Sequence, residues 1–267
     1  MTWLAPVSPE LVWFEGPDAV SFLDAILSQE LEAMKPGEVS RSFLLAPRGK
    51  LDHLLWVLRG DDLVGIVADP GRGEELFTTL RRYRIRVKVE IEIDEGPLWV
   101  VMGEGGHGGW SGDRSGPLDA DLSWPTIGRT LVAGERPDIP VGTEEQYEEA
   151  RILAGEPAWG VDIDDGTIPQ ETAMADRFIR YDKGCFLGQE LVGRIHMRGH
   201  VNRFLRHLHL AEPAPAGSSI TLGDKEVGQM TSVAGLVGLG MVRREVEPGE
   251  TVRVAGIPAT VAEIPGQ

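Results

Sequence analysis

The chain has 267 residues and a net charge of −16, from 26 Lys plus Arg against 42 Asp plus Glu, with a single cysteine. This length buries a substantial core and divides over two or three compact units. The acidic balance speaks against a general nucleic-acid surface, which needs clustered cations for phosphates, and one cysteine excludes a disulfide framework or a cysteine-built zinc or iron–sulfur site within one chain.

The first eight residues carry no basic region followed by an apolar stretch, and no apolar run approaches bilayer-spanning length. The expectation is a soluble, cytoplasmic protein with neither a membrane nor a direct nucleic-acid partner. Gly16-Pro17-Asp18 opens a helix expected over 19–31, on the helical spacing of Val20, Leu23, Ala25, Ile26, Leu27 and Leu31, and Pro36-Gly37 ends it. Residues 42–62 read as two strands joined through Pro47-Arg48-Gly49-Lys50, and 63–68 as a third. A short helix is expected over 74–82. From 83 to 94, apolar residues at every second position predict a half-exposed strand whose solvated face carries Arg84, Arg86 and Lys88.

A further strand is expected over 98–102, followed by a glycine-rich loop from Gly103 to Trp110. Neither this loop nor Gly49-Lys50-Leu51 has the pattern of a phosphate loop. Thr143 is the expected cap of a helix ending at Gly155. Asp162, Asp164 and Asp165 lack the remaining ligands of a calcium loop and read as a solvated turn. His207 and His209 alternate with leucines on a strand and read as structural; no metal site is assigned. Beyond Pro213-Ala214-Pro215, short apolar strands separated by glycine turns predict a small β-barrel.

The cysteine lies in Lys183-Gly184-Cys185-Phe186-Leu187-Gly188-Gln189-Glu190, just before a helix whose expected Glu190–Arg194 pair is four residues apart. A helix amino terminus and Lys183 both favour thiolate over thiol, which makes Cys185 a candidate nucleophile or ligand with Lys183 beside it. The competing reading is a buried cysteine used as a small apolar residue. From 183 to 209, cations outnumber acids in an otherwise acidic chain, which suggests either a small-anion site or ordinary salt bridges.

The octet, followed by Arg194 and Arg198-Gly199, resembles the signature of the YgfZ-type folate-binding proteins, relatives of the aminomethyltransferase (T-protein) of glycine cleavage. Pro47-Arg48-Gly49-Lys50-Leu51-Asp52, residues 82–89, Arg151-Ile152-Leu153-Ala154-Gly155-Glu156-Pro157 and Ile168-Pro169-Gln170-Glu171 are similar to further landmarks of that superfamily, in its order. The resemblance implies an α+β fold, a T-protein-like ring with a mixed α/β folate-binding core over 1–210 and a C-terminal β-barrel over 211–267. It implies tetrahydrofolate as cofactor, bound in a central opening. Residue chemistry then makes Glu171, Gln189 and Glu190 candidates for the pterin and Arg194 and Arg198 for the glutamate tail. Implied partners are iron–sulfur proteins or their assembly machinery, with tRNA modification affected through those enzymes. Aminomethyltransferases carry a pterin-holding acid where this chain has Leu153, and they lack the octet's cysteine, so glycine cleavage is disfavoured. The alternative expectation is a folate-dependent one-carbon transferase.

Overall fold

The structure is a computed structural model that describes residues 1–103 and 109–265. The expected glycine-rich loop therefore falls, over 104–108, outside the described residues. In chain order the elements are β1 (Trp3–Leu4), β2 (Glu10–Glu15), α1 (Ala19–Asp24), β3 (Val39–Leu45), β4 (Leu51–Arg59), β5 (Leu63–Ala68), α2 (Gly73–Tyr83), β6 (Glu90–Ile93), β7 (Leu98–Met102), β8 (Asp119–Asp121) and β9 (Arg129–Ala133). There follow α3 (Glu144–Leu153), a 3-10 turn at Pro169–Thr172, α4 (Ala175–Phe178) and α5 (Gln189–Arg198). The chain closes with β10 (Arg203–Leu210), β11 (Ser219–Leu222), β12 (Lys225–Ala234), β13 (Val237–Arg243), β14 (Thr251–Val254) and β15 (Ile257–Ala262).

Three antiparallel sheets carry the architecture. One has the order β3-β4-β5-β2-β6, a second β1-β7-β9-β8, and a third closes as the six-stranded barrel β10-β13-β12-β11-β14-β15. The α+β class and the C-terminal barrel are thus as the sequence implies; the barrel's first strand, β10, lies before position 211. Closing the sheet on itself removes the exposed edges that a six-stranded open sheet would present. A shared core welds the barrel to the rest. Phe43 and Leu54 of the first sheet, Phe178 of α4 and Phe186 of the cysteine loop pack with Leu205, Leu239 and Met241 of the barrel. Phe178 is fully buried, and withdrawing such a ring from water contributes about 2–3 kcal/mol.

Two elements are shorter than the sequence pattern predicts. The helix expected to reach Leu31 stops at Asp24, because the Asp24 carboxylate accepts from the backbone N–H of Leu31 at 2.6 Å and folds the chain back. Ile26, Leu27 and Leu31 are buried all the same. The alternating segment 83–94 pairs only over β6: Tyr83 ends α2, Ile85 is 71% exposed, and Arg86 has φ of +59°. Lys88 N–H donates to the Asp18 carboxylate at 2.7 Å, so this stretch wraps the start of α1 instead of pairing. Asp162 also departs from expectation. It is buried and accepts from Arg151 Nη1 at 2.8 Å, Ala158 N–H at 2.8 Å and Ser232 Oγ at 2.7 Å, where a solvated turn was expected. Asp164 does form such a turn, accepting from Gly166 N–H at 2.9 Å. No described helix is long and apolar enough to cross a membrane.

Candidate functional site: an anchored thiol and a central cavity

The cysteine loop is held from below and leaves its thiol outside. Lys183 Nζ donates to the carbonyls of Asp24 at 2.5 Å, Leu27 at 3.2 Å and Gln29 at 2.7 Å, and lies 3.2 Å from the Asp24 carboxylate. All three ammonium protons are therefore spent on the segment after α1, and burial lowers the Lys183 pKa while Asp24 opposes that shift. Lys183 anchors the loop; none of its hydrogen bonds or ion pairs goes to the thiol, in contrast to the pairing the sequence suggested. Phe186 plugs into the shared core, whereas Cys185 is exposed. The apolar, buried alternative for Cys185 is thereby excluded.

Gly188 starts α5 with φ of +75°, and a Cβ there would stand 2.5 Å from the Ala46 carbonyl oxygen. Gly49 answers it from the β3–β4 turn: with φ of +79°, its Cβ would meet Leu191 Cβ at 2.7 Å and the Gly188 oxygen at 2.8 Å. Two turns lacking side chains thus dock backbone against backbone, which brings Pro47-Arg48-Gly49-Lys50 to the octet.

The other residues singled out in the sequence gather around α5, with different tasks. Gln189 Oε1 accepts from Phe186 N–H at 3.1 Å and closes the turn before the helix. Glu171 is buried, accepts from Ile168 N–H at 3.0 Å, and is gripped by Arg203 through Nε at 3.0 Å and Nη2 at 3.1 Å. Glu190, Arg194 and Arg198 are exposed on α5, and no ion pair joins Glu190 to Arg194 among the described residues. The helix is steadied instead by Tyr181 stacked on His196 at 3.7 Å, and by Gln170 Nε2 donating to the Val192 carbonyl at 3.0 Å.

None of these residues lines the cavity beside α3. A cavity of about 520 Å³ opens between the loop after β5, helix α3 and residues 156–159, walled by Asp69, Arg72, Tyr147, Glu156 and Trp159 among others. A recess of about 60 Å³ continues it between the first two sheets, past Trp56, Val100 and Arg129. Arg129 and Glu156 form a buried two-point ion pair, with Nη1 to Oε1 at 2.8 Å. The Arg72 guanidinium lies over the Trp159 ring, 3.9 Å from its centroid.

Asp69 sits in both parts of the cavity. Burial pushes its carboxyl up to about 7, with the Glu156 carboxylate adding to the rise and Arg72 and Arg129 opposing it. Burial likewise raises the Tyr147 phenol to about 12, so it remains a hydrogen-bond donor at neutral pH. The arrangement offers flat aromatic faces, two carboxyls and fixed guanidinium groups in one enclosure. Sequence reasoning missed Asp69, Tyr147 and Trp159, since nothing local distinguishes them. It named the Gly155-Glu156-Pro157 segment and noted Leu153 where aminomethyltransferases carry an acid, but did not single out Glu156, the acid of that segment that lines the cavity.

Residues 203–265 match the family model of the C-terminal β-barrel domain of CAF17. Over 99% of this chain and 86% of the other, the fold superposes with a TM-score of 0.84 on the glycine cleavage system aminomethyltransferase T from Bartonella henselae, at 20% identity. The iron–sulfur cluster assembly factor IBA57 of Homo sapiens, a mitochondrial protein, is 27% identical over 88% of this chain and 75% of its own length. Its homologue in Cryptococcus neoformans is 26% identical, covering 86% of this chain and 80% of its own. An uncharacterised protein of Haemophilus influenzae is 24% identical over 86% of this chain and 83% of its own. Over most of its length the chain is similar in sequence to IBA57-type proteins, and its fold is that of the aminomethyltransferase T. It is a homologue of iron–sulfur cluster assembly factors, with relatives in both bacteria and mitochondria. The YgfZ-type octet is, in this fold, the loop that presents Cys185 in front of α5.

Proposed function

We propose that the protein is a tetrahydrofolate-binding accessory factor for the assembly or repair of iron–sulfur enzymes, and through them for tRNA modification, acting on a protein partner through Cys185. The observation that carries this reading is the exposed thiol on a loop fixed by Lys183, Gly188 and Phe186, in a chain homologous to iron–sulfur cluster assembly factors. One cysteine supplies one thiolate per chain, so the remaining ligands of any cluster come from the partner. Glu190, Arg194 and Arg198, exposed along the helix that follows the thiol loop, are groups a partner docking there would meet.

Folate suits the central cavity rather than α5. Tyr147 and Trp159 offer faces to a flat ring, and the Asp69 and Glu156 carboxyls offer acceptors for its N–H groups. Arg72 stands on the same wall for a carboxylate tail. Asp69 makes no side-chain hydrogen bond among the described residues, so a ligand would give this half-buried acid the partner it lacks. When bound, tetrahydrofolate supplies one-carbon chemistry; the residues here bind and orient it and hold a proton at Asp69.

That proton favours a second reading, a one-carbon transferase in which Asp69 is the acid facing the amine. The two readings separate in cells lacking the protein. The accessory factor predicts that Cys185→Ala fails to restore the activity of a cluster-dependent enzyme, whereas the transferase predicts that Cys185→Ala restores it and Asp69→Asn does not. Full restoration by Cys185→Ala rejects the proposal.

A further inference from the structure

Behind the cavity wall, the start of β4 and the first turn of α2 bring Asp52, His53 and Glu75 together. One imidazole nitrogen and one oxygen from each carboxylate all lie within 4.8 Å of one another. His53 is 1% exposed, and neither of its ring nitrogens has a hydrogen-bond partner among the described residues. Leaving such a group unpaired costs about 1–3 kcal/mol, so an orphaned imidazole beside two carboxylates is an unfinished coordination shell more readily than a packing accident. Its ring is held in place by Trp159, stacked at 6.4 Å with planes 19° apart. Burial, reinforced by Arg72, lowers the His53 pKa to about 3, so its lone pair is free at neutral pH.

We propose that Asp52, His53 and Glu75 form a binding site for a first-row divalent cation of the manganese or ferrous-iron kind. The donor set is one nitrogen and two carboxylate oxygens, which suits these ions, whereas calcium and magnesium take all-oxygen shells. Metal–ligand bonds of about 2.0–2.2 Å require donor separations of about 3–4 Å, so the group closes with a movement of about 1 Å. Glu75 is exposed on α2, and that exposure gives the ion its entry. Asp52 is half-buried, and burial raises its pKa.

Arg72 is the charge that opposes the site. It donates to Glu75 Oε2 from Nε at 3.0 Å and to the Asp52 carbonyl from Nη1 at 2.8 Å. Only one Glu75 oxygen is occupied in this way, so Oε1 remains for the ion and Arg72 orients the carboxylate from behind. Arg82 and Asp165 also act on Asp52, with opposite signs. The guanidinium repels the cation, so affinity is expected to be micromolar, below that of a closed structural zinc site. Because Arg72 and Trp159 also wall the central cavity, the site lies directly behind it.

The test is titration of the full chain with Mn²⁺, reading free ion by its electron paramagnetic resonance signal. The wild type is expected to bind one ion per chain, and Glu75→Gln and Asp52→Asn each to weaken binding about tenfold or more. Glu75→Gln changes an exposed side chain and keeps the near-ultraviolet circular dichroism of the wild type, so its loss of binding reports the site and not the fold. Absence of bound Mn²⁺ up to about 1 mM, or wild-type affinity in Glu75→Gln, overturns the proposal. The reading does not depend on folate or on Cys185, and both results stand whatever those tests return.

Discussion

The Asp69 carboxyl has a folded-state pKa near 7 against an ordinary value of 3.8, chiefly through burial. Between these two values the folded chain keeps a proton that the unfolded chain has released. Stability from this group therefore falls as pH rises from about 4 to about 7 and is constant above. Asp69→Asn removes that slope. It is expected to match the wild type near pH 4 and to exceed it at pH 8 by an amount of the order of 2 kcal/mol, read by urea denaturation at the two pH values. A variant no more stable than the wild type at pH 8 would refute the raised carboxyl. His53 acts on the acid side: its pKa is depressed to about 3, so stability is lost as pH falls through the ordinary histidine range. Cys185 was legible in the sequence because its motif is local and contiguous. Asp69 was not, being one acid at the end of an apolar strand that acquires its character only where the loop after β5, helix α3 and the 156–159 segment converge.

At the scale of elements, the thiol loop depends on a glycine contact that tolerates no Cβ. Gly188→Ala places a methyl group 2.5 Å from the Ala46 oxygen in left-handed backbone, so α5 must shift away from the β3–β4 turn. The expected loss is at least about 1 kcal/mol, together with faster amide hydrogen exchange over residues 186–192. Unchanged exchange there would mean that the glycine contact does not hold the helix. Patterning foretold most elements, including Thr143 as the cap of α3, where its Oγ1 accepts from Gln146 N–H at 3.1 Å. It overran where a distant group intervened. Helical spacing continues to Leu31, but the Asp24 carboxylate and Lys183, 159 residues away, take the backbone groups that would have extended α1. The ion pair of Glu171 with Arg203, 32 residues on in β10, was likewise not legible in local sequence.

At the scale of the whole molecule, the barrel is tied to the cavity. Arg151 of α3 donates to Asp162 at 2.8 Å and to Ser232 of β12 at 3.0 Å, and Asp162 also accepts from Ser232. This buried network joins the cavity wall to the barrel, and its charges are compensated as buried charges must be. None of the residues lining the cavity, by contrast, belongs to the Cys185 loop. The account therefore separates ligand binding from the thiol. Calorimetric titration with tetrahydrofolate under reducing conditions tests this most directly, using the wild type, Cys185→Ala, and Ala158→Trp, which places an indole in the cavity. Equal binding by wild type and Cys185→Ala, with loss in a folded Ala158→Trp, is the predicted result. Binding that survives Ala158→Trp, or that disappears with Cys185, contradicts the account.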